Sequence, residues 1–411
     1  MPVTIALVGC LDTKGEEVRY LKQVLEEEGH RTHVIDTGVL GEALFRPDTF
    51  RDQVAKAAGT TVEAIRLKND RGHAVEAMSQ GAAKIVRALY EKGVVQGILA
   101  AGGSANTTIA TTAMRALPVG FPKLMVSTLA SGDVSPYVDT KDITMMYSVV
   151  DIAGINRISA RILSNASRAI AAMAGGKEPK LGDSKPVVSA TMFGVTTPCV
   201  NAARKLLEQA GYEVLVFHAT GTGGRAMENL IEDGYISGVL DITTTELADE
   251  LVGGILSAGP RRLTVAAAAG IPQVISIGAV DMVNFGPRGT VPARFEGRKF
   301  YQHNPTVTLM RTTPEESAEI GRRIAERTRS ARGPVKFLLP TKGVSAYAKK
   351  GGPFFDPEAD GRCIDAIKKN AGATIEVRLL DTDINDPEFA RACADTLIEL
   401  MQSTKRSKNT R

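Results

Sequence analysis

Short apolar runs recur along the chain and alternate with segments of helical periodicity. Residues 3–9 (VTIALVG) form one such run, and residues 16–28 then place apolar side chains three or four positions apart before Gly29. An unbroken apolar run is typical of a parallel strand buried on both faces, and the wider spacing is typical of an amphipathic helix. The pattern therefore predicts a strand and then a helix, with a second strand at 30–38.

The same alternation continues through the first half of the chain. Strands are predicted at 97–103 and 124–130, and a long helical pattern runs from about 152 to 174 before a pair of glycines. The segment KEPKLGDSKP (177–186) has the polar, proline- and glycine-containing composition of a linker. We therefore place a domain boundary there.

The second half of the chain begins as the first does. Residues 3–36 correspond without a gap to residues 185–218, with a helical pattern and a glycine at equivalent places. Two shorter pairs of similar segments follow in the same order: 91–99 with 232–240, and 121–127 with 271–277. Three similar segments in one order predict a duplicated β-α-β framework.

The predicted fold class is α/β, with two Rossmann-like doubly wound parallel-sheet domains at 1–180 and 186–405 and a flexible tail at 406–411. In such sheets, ligands bind beyond the carboxyl ends of the strands, where helix N-termini point. We therefore expect the chemistry to lie in the turns that follow the strands.

The turn GCLDTKGEE after the first strand places Asp12, Thr13 and Lys14 at the start of a helix. Backbone N–H groups and the helix dipole favour an anion there. The structural alternative is a cap, in which Asp12 or Thr13 accepts hydrogen bonds from the first N–H groups of the helix. A cap does not account for Lys14, which is unfavourable at a helix N-terminus without an anionic partner.

The turn AAGGSANTT after the strand at 97–103 is rich in glycine and hydroxyl groups. Its candidate phosphate-binding residues are Gly102, Gly103, Ser104, Asn106 and Thr107. A glycine pair lets the backbone approach a phosphate closely, and hydroxyls donate hydrogen bonds to its oxygens. Neither this turn nor the first is a Walker A motif, but together they predict a phosphate-bearing ligand in the N-terminal domain.

A third turn, STLASGDVSPYV, adds Ser131 and Gly132 to this predicted site. Asp133 and Asp142 are the candidate ligands for Mg²⁺, because carboxylate oxygens are what this ion prefers. The alternative is that these acidic residues cap turns.

In the C-terminal domain, the segment FHATGTGGRAME is the strongest candidate for a second ligand site. The expected ligand is a small anionic metabolite. Its candidate residues are Thr220, Gly221, Gly223, Gly224 and Arg225, and later turns add Asp281, Asn284, Asn304 and Arg311. A helix N-terminus beside an arginine suits an anion, and Arg225 or Arg311 is expected to grip its carboxylate.

His218, His303 and Glu246 are the candidate catalytic residues, as acid and base or as metal ligands. No H-x-x-x-H or H-x-x-E-H spacing occurs in the sequence. A single histidine is also commonly a structural hydrogen-bonding group, so both interpretations stay open.

Composition and charge narrow the functional classes. The 411 residues carry a net charge of +4, too small to indicate a nucleic-acid partner without a local basic patch. The four cysteines are widely spaced, as in a reducing compartment, and no apolar stretch has the ~18 residues that a membrane span needs. With no signal peptide apparent at the N-terminus, we expect a cytoplasmic protein that binds neither nucleic acid nor membrane.

Taken together, several motifs resemble the bacterial relatives of the tomato mosaic virus resistance protein. They are GCLDTKGEE, AGGSANT, LMVSTLASGDVSPYV, YSVVDIAGIN, FHATGTGGRAMENLI, DITTTELADELVGG, DMVNFG and HNPTVTLMRT. The resemblance covers nearly the whole chain. It implies two Rossmann-like subdomains, with ATP and Mg²⁺ bound by the N-terminal one, and a homodimer. Ala105 stands where a GGSGGT-type version of the second turn has glycine.

The leading functional hypothesis is a Mg-ATP-binding protein with a second anionic ligand in a cleft between the domains, acting as an ATP-dependent or phosphoryl-handling enzyme. The alternatives are an ATP-responsive regulatory protein without turnover, and a metal-dependent hydrolase or lyase that uses the C-terminal domain. We do not extend the antiviral role of the plant protein to this chain.

Overall fold

In the computed structural model, residues 2–177 and 185–409 are described, with side chains as far as residue 406. The chain divides into two compact units, Met1–Lys180 and Leu181–Arg411. Most of the predicted linker, 178–184, lies outside the described residues, as do 410–411 of the predicted tail. The rest of that tail is helical as far as Asn409.

The N-terminal unit is built on a five-stranded parallel sheet with helices on both faces. Its strands are β1 (Thr4–Gly9), β2 (Arg31–Asp36), β3 (Gly97–Gly102), β4 (Lys123–Ser127) and β5 (Thr144–Tyr147). Its helices are α1 (Gly15–Glu27), α2 (Arg51–Ala57), α3 (Val62–Lys68), α4 (Arg71–Glu91), α5 (Ser104–Arg115), α6 (Ser135–Val138) and α7 (Arg157–Gly175). The strand order is β2-β1-β3-β4-β5, so the order reverses between β1 and β3.

The apolar run of β1 is explained by the two cores that this sheet separates. Ile5 and Leu7 pack on one face with α1 and α7, while Ala6 and Val8 pack on the other face with α4 and α5. All four side chains are at most 1% exposed. Burial of both faces is what makes a strand apolar at every position.

The C-terminal unit contains a six-stranded parallel sheet and a smaller antiparallel sheet. Its strands are β6 (Val187–Met192), β7 (Glu213–His218), β8 (Gly238–Thr243), β9 (Gln273–Gly278), β10 (Met282–Phe285), β11 (Phe300–Asn304), β12 (Val307–Arg311), β13 (Val335–Pro340) and β14 (Glu376–Leu380). Its α-helices are α8 (Thr197–Gln209), α9 (Thr222–Glu232), α10 (Glu246–Val252), α11 (Thr264–Ala269), α12 (Pro314–Thr328), α13 (Pro357–Asn370) and α14 (Pro387–Asn409). The two sheets have the orders β7-β6-β8-β9-β13-β14 and β10-β12-β11.

The two units share one strand order, which confirms the predicted α/β class with two doubly wound parallel sheets. The order β7-β6-β8-β9-β13 repeats β2-β1-β3-β4-β5 strand for strand. The similar sequence segments lie on equivalent elements, because 3–36 and 185–218 contain β1-α1-β2 and β6-α8-β7. The shorter pairs lead into β3 and β8 and contain most of β4 and β9.

The long helix predicted from about 152 begins later, at Arg157. Asn156 caps it, since its side chain accepts hydrogen bonds from the N–H groups of Ile158 (2.9 Å) and Ser159 (3.0 Å). Asparagine is among the strongest N-cap residues, and it stops the helix from extending toward residue 152. In the part of the chain that the structure describes, no helix is both long and apolar enough to cross a bilayer.

Candidate functional site

A cavity of about 790 Å³ opens at the carboxyl ends of β1, β2 and β3 in the N-terminal unit. Its walls are the turns after these three strands and the hairpin formed by α3 and α4. This is where the strand order reverses, the usual ligand position in doubly wound sheets. The volume falls within the ~300–1,000 Å³ typical of small-molecule sites.

The N-terminus of α5 forms one wall of this cavity. Gly103 occupies the N-cap position without a side-chain cap, and Ser104 begins the helix. Among the described residues, the backbone N–H groups of Ser104, Ala105 and Asn106 have no hydrogen-bond acceptor. Such N–H groups at the positive end of a helix dipole are donors for an anion.

Asn106 and Thr107, both predicted to contact phosphate, hold this turn in shape. The Asn106 amide donates to the Ala101 carbonyl (2.8 Å), and the Thr107 hydroxyl donates to the Gly103 carbonyl (2.8 Å). Thr107 also shares a hydrogen bond with the Ser127 hydroxyl (2.8 Å) and is fully buried, outside the cavity lining. Gly102 lies outside the lining as well.

Three cationic side chains line the cavity, and two of them were not predicted. The Lys14 ammonium donates a hydrogen bond to the Ile152 carbonyl, which gives this lysine a partner within the protein. Arg66 and Arg71 come from the α3–α4 hairpin, and Arg66 donates to the Val39 carbonyl. Within the described residues Arg71 has no hydrogen-bond or ion-pair partner, so its guanidinium is available to a ligand.

Part of the cavity lining is apolar. Its lining includes Val39, Ile65, Ala74, Val75, Met78 and Ile109. These side chains come from the turn after β2 and from helices α3, α4 and α5. A lining that contains both apolar side chains and uncapped N–H groups suits a ligand with one anionic and one flat, weakly polar part.

Asp12 and Asp36 organise the turns at the β1–β2 side of the cavity. Asp12 Oδ2 accepts hydrogen bonds from the N–H groups of Leu40 (2.7 Å) and Gly41 (3.2 Å). Asp36 Oδ1 accepts from the N–H groups of Leu11 (3.0 Å) and Gly38 (2.9 Å). Burial raises the pKa of Asp36, against the lowering effect of these N–H groups.

Cys10 also lines the cavity, beside the Thr37 hydroxyl at 3.4 Å. Burial raises the pKa of its thiol to about 11. Cys10 is therefore protonated near neutral pH and is not an activated nucleophile.

The third predicted turn does not contribute to the cavity lining, and both predicted Mg²⁺ ligands have other partners. Asp142 makes an ion pair with the buried Lys123 ammonium (2.7 Å) and accepts from the Gly120 N–H (2.8 Å). Asp133 accepts from the Ser135 N–H (2.9 Å) at the start of α6. Ser131 and Gly132 also lie outside the cavity lining. No metal-binding group of three or more His, Cys, Asp and Glu side chains occurs among the described residues.

In the C-terminal unit, a carboxylate of the protein already occupies the glycine-rich turn predicted to bind an anion. Glu246 Oε1 accepts hydrogen bonds from the N–H groups of Gly221 (2.7 Å) and Gly224 (3.0 Å), at the start of α9. A Cβ on Gly223 would lie 1.9 Å from the His218 carbonyl oxygen, and one on Gly224 would lie 2.2 Å from Glu246 Oε2. Close packing within the protein therefore explains these glycines.

Glu246 belongs to a buried ionic network centred on Arg262, which the sequence did not indicate. The Arg262 guanidinium contacts both oxygens of Asp241 (2.5 and 2.6 Å) and donates to Glu246 Oε2 (2.7 Å). Glu228 lies 3.6 Å from the same guanidinium, and burial raises its pKa to about 7. One oxygen of Glu246 accepts from the glycine N–H groups and the other accepts from Arg262. The contacts of Glu246 therefore give no support to its predicted catalytic role.

Asp281, Asn284 and Arg311, predicted to bind the second ligand, are also buried. Asn284 donates to Asp249 Oδ2 (2.7 Å), and Asp281 Oδ2 accepts from the Ser345 hydroxyl (2.9 Å). Arg311 donates to Asp360 Oδ1 (2.6 Å), to the Phe354 carbonyl (2.9 Å) and to the Thr312 hydroxyl (2.7 Å). The guanidinium predicted to clamp a metabolite is therefore committed to the interior of the domain.

The two candidate histidines lie at the surface. His218 stacks on Phe193 with ring centroids 5.4 Å apart, and His303 shares a hydrogen bond with the Tyr347 hydroxyl (3.0 Å). The other predicted residues also make local contacts: Thr220 with the His218 carbonyl, Arg225 with the Ser257 carbonyl, and Asn304 with Thr306.

Family models for the N-terminal and C-terminal domains of the uncharacterised protein family UPF0261 match residues 3–179 and 185–401. The chain belongs to the UPF0261 family. A UPF0261 protein of Clostridium tetani is 53% identical over 399 residues, which are 97% of this chain and 99% of that protein. The cavity residues, from Cys10 to Ile109, all lie within the part of the chain that the N-terminal family model matches.

The ToMV resistance protein Tm-1(GCR237) of Solanum lycopersicum is 44% identical over 343 residues, which confirms the predicted resemblance. The match covers 82% of this UPF0261 chain but 45% of the tomato protein. Among solved structures, a putative UDP-N-acetylglucosamine 2-epimerase from Listeria monocytogenes aligns over 67% of this chain and 79% of that one. Its sequence identity of 11% and TM-score of 0.25 support no argument about ligands.

Proposed function

We propose that the N-terminal domain binds ATP with Mg²⁺ in the cavity at the ends of β1, β2 and β3. The observation that carries this proposal is the uncapped N-terminus of α5, whose N–H groups at Ser104, Ala105 and Asn106 have no acceptor among the described residues. A triphosphate satisfies these donors and interacts favourably with the helix dipole.

Charge supports a polyanionic ligand. The lining contains Lys14, Arg66 and Arg71 against the carboxylates of Asp12 and Asp70, so cations outnumber anions by one. Asp70 is further occupied as the cap of α4, where its Oδ1 accepts from the His73 N–H (3.1 Å). Arginine donors hold phosphate oxygens in a bidentate geometry, which makes Arg71 the strongest candidate for such a contact.

The apolar part of the lining suits the adenine ring of the proposed ligand. Val39 lines the cavity from the turn after β2 and Ile65 from α3, while Met78 and Ile109 line it from α4 and α5. A purine ring gains from leaving water against such side chains, at roughly 25 cal/mol per Å² of apolar surface buried. Methionine adapts well to the edge of an aromatic ring.

Mg²⁺ enters this proposal with the triphosphate. The carboxylates predicted to hold it, Asp133 and Asp142, are engaged elsewhere, and the described residues contain no cluster of metal ligands. Mg²⁺ commonly keeps several waters and binds mainly through substrate phosphates. The ion would therefore neutralise phosphate charge, and Lys14 would add a further positive charge.

A calorimetric titration with ATP and Mg²⁺ tests the proposal, followed by a phosphate-release assay on the same sample. Saturable binding with a stoichiometry of one nucleotide per chain is the expected result. Absence of binding would contradict the nucleotide assignment. The uncapped N-terminus of α5 would then be expected to bind a different anion. Phosphate release would identify an ATP-hydrolysing enzyme, whereas binding without release leads to a screen of small anionic metabolites in the presence of ATP.

The predicted second site has weaker support, because Glu246 occupies the N–H groups of the glycine-rich turn and Asp360 pairs with the Arg311 guanidinium. We therefore propose nucleotide binding as the function of the N-terminal domain and no ligand for the buried network of the C-terminal domain. The homodimer implied by the resemblance stays a prediction, which analytical ultracentrifugation tests directly.

A further inference from the structure

The connection between β5 and α7, residues 148–156, contains a strained residue that side-chain packing does not explain. Val149 has a φ of 63°, in the left-handed region that a β-branched residue rarely adopts. It is the central residue of a three-residue turn, in which the Val150 N–H donates to the Ser148 carbonyl (2.6 Å). The Val149 side chain is 60% exposed, so its burial does not offset the strain. Contacts on both sides of Val149 therefore hold the β5–α7 connection in this conformation.

Before Val149, the connection is held by the buried Ser148. The Ser148 N–H donates to the Ser127 carbonyl at the end of β4 (3.2 Å), and its hydroxyl donates to the Val150 carbonyl (2.7 Å). These bonds fix the backbone on the β4 side of the turn.

After Val149, the connection is held by two residues at the start of α1. The buried Glu17 carboxylate accepts a hydrogen bond from the Gly154 N–H (2.8 Å), and the Lys14 ammonium donates to the Ile152 carbonyl. Lys14 also lines the cavity, whereas Ile152 does not. One side chain therefore links the cavity to the strained connection.

An anion in the cavity competes with Ile152 for the Lys14 ammonium. The backbone carbonyl is a neutral acceptor, and a hydrogen bond between an ammonium and a phosphate oxygen is stronger because both groups are charged. Ser104, at the uncapped N-terminus of α5, lines the same cavity as Lys14. The flexible four-carbon stem of lysine lets its ammonium change partners.

We propose that Lys14 couples ligand binding to a change in the β5–α7 connection. When an anionic ligand binds, the Lys14 ammonium moves from the Ile152 carbonyl to the ligand, and the connection loosens so that Val149 leaves its strained conformation. A ligand shifts such an equilibrium by its different affinity for the two states, and the charged contact with Lys14 supplies that difference. This inference rests on the proposed nucleotide function and adds a conformational response of the same site.

Hydrogen exchange of the full-length protein, followed by mass spectrometry with and without saturating ATP and Mg²⁺, tests this coupling. Peptides that cover 104–106 should exchange more slowly with ATP, because the free N–H groups of α5 become hydrogen-bonded. Peptides that cover 150–154 should exchange on the order of tenfold faster, as expected when a hydrogen bond from a charged group is lost. The two regions therefore report ligand binding and release of the connection separately.

Lys14→Met removes the ammonium and keeps an unbranched apolar stem. In this variant the peptides that cover 150–154 should exchange at the faster rate without ATP, and ATP should cause no further increase. Lys22→Met, on α1 outside the cavity lining, is the matched control and should retain the wild-type response.

A second pair of variants covers the case in which Lys14→Met does not fold. Val149→Gly relieves the strain, because glycine adopts a positive φ freely, and so favours the held conformation that binding disrupts. ATP binding should therefore weaken by roughly threefold to tenfold. Val150→Gly adds flexibility at the adjacent position, whose φ is not positive, and should not weaken binding. Thermal unfolding establishes that each variant is folded.

The outcomes separate this inference from the proposed function. Slower exchange at 104–106 without faster exchange at 150–154 overturns the coupling while nucleotide binding stands. Equal ATP affinities of folded Val149→Gly and Val150→Gly also overturn the coupling. No slowing at 104–106 with saturating ATP overturns the proposed function and the ligand-driven release with it.

Discussion

The two adjacent glycines that end β3 and begin the α5 turn are required for different reasons. A Cβ on Gly102 would lie 2.6 Å from the Asn106 Cβ, so packing within the protein excludes a side chain there. A Cβ on Gly103 would meet the Thr128 hydroxyl at an ordinary 3.7 Å, and Gly103 lines the cavity. The folded protein thus tolerates a side chain at Gly103, and close approach of a ligand is what would exclude one.

Gly103→Ala should therefore weaken ATP binding by roughly tenfold or more while changing the free energy of unfolding by less than about 1 kcal/mol. Gly102→Ala is the comparison for packing and should lose about 1–3 kcal/mol of stability, because its Cβ would overpack against Asn106. Calorimetric titration and denaturant unfolding measure the two quantities. Unchanged affinity in folded Gly103→Ala would exclude a phosphate against this backbone.

Lys14 is the cationic residue of the first turn that the sequence predicts to contact phosphate, and it lines the cavity. Removing its ammonium by Lys14→Ala should weaken ATP binding at least tenfold, or about 1.4 kcal/mol. Lys22→Ala, on helix α1 outside the cavity lining, removes a lysine that pairs with Glu26 and should leave the affinity unchanged. Similar affinities for both variants would show that the carbonyl of Ile152 is the main partner of Lys14.

At the scale of elements, α9, α10 and the segment before α11 are joined by the ionic network of Arg262. Arg262→Met would leave Asp241, Glu246 and Glu228 buried without their cation, and the free energy of unfolding should fall by roughly 3–5 kcal/mol. Arg261→Met is the control at the adjacent position, where an exposed ion pair with Glu232 contributes about 0–1 kcal/mol. Denaturant unfolding compares the two, and equal losses would contradict a structural role for the network.

Helix α10 also carries a titratable group that links stability to pH. Burial raises the pKa of Asp249 from its usual range to about 7. The folded protein then keeps a proton that the unfolded chain releases, so the stabilisation is complete below about pH 4 and is lost as the pH rises through 7. Thermal unfolding temperatures should accordingly fall between pH 4 and pH 7, with Glu228 and Asp360 contributing in the same direction.

Asp249→Asn separates this residue from the other acids. Its amide can donate to Asn284 Oδ1, which is buried without a partner among the described residues, once the Asn284 side chain flips. In this variant the free energy of unfolding should fall less steeply between pH 4 and pH 7, by up to about 1.4 kcal/mol per pH unit. A decline as steep as in the wild type would show that Asp249 is ionised throughout.

Strands and helices with a clear apolar pattern could be predicted from the sequence. Features that depend on contacts between residues far apart in the chain could not. Strand β1 and helix α1 were found within a residue or two of their predicted ends, because both faces of β1 and one face of α1 are buried. The hairpin α3–α4 was not predicted, so Arg66 and Arg71 were missed at the cavity. Residue type alone also did not reveal that Glu246 and Arg262, 16 positions apart, neutralise each other in the interior.

At the scale of the whole molecule, a duplicated framework has developed two different turns at equivalent places. In the N-terminal unit, the turn after β3 leaves donors uncapped beside a cavity. In the C-terminal unit, the turn after the equivalent strand β8 is closed by backbone carbonyls, because the N–H groups of Leu247 and Ala248 at the start of α10 donate to the carbonyls of Thr244 (3.0 Å) and Thr245 (2.9 Å). The same strand order therefore does not imply the same ligand, because turn residues decide what a doubly wound sheet binds.

This difference predicts that ATP binding belongs to the N-terminal unit alone. Each unit has its own sheet and its own buried clusters, so a fragment of residues 1–180 should fold and bind ATP within about threefold of the full-length affinity. At 100 times its Kd, ATP should stabilise that fragment by about 2.7 kcal/mol and leave a fragment of residues 185–411 unchanged. Circular dichroism first establishes that both fragments are folded, and thermal unfolding with and without ATP then gives the comparison. Stabilisation of the 185–411 fragment, or loss of binding in a folded 1–180 fragment, would contradict the assignment of the whole site to the N-terminal turns.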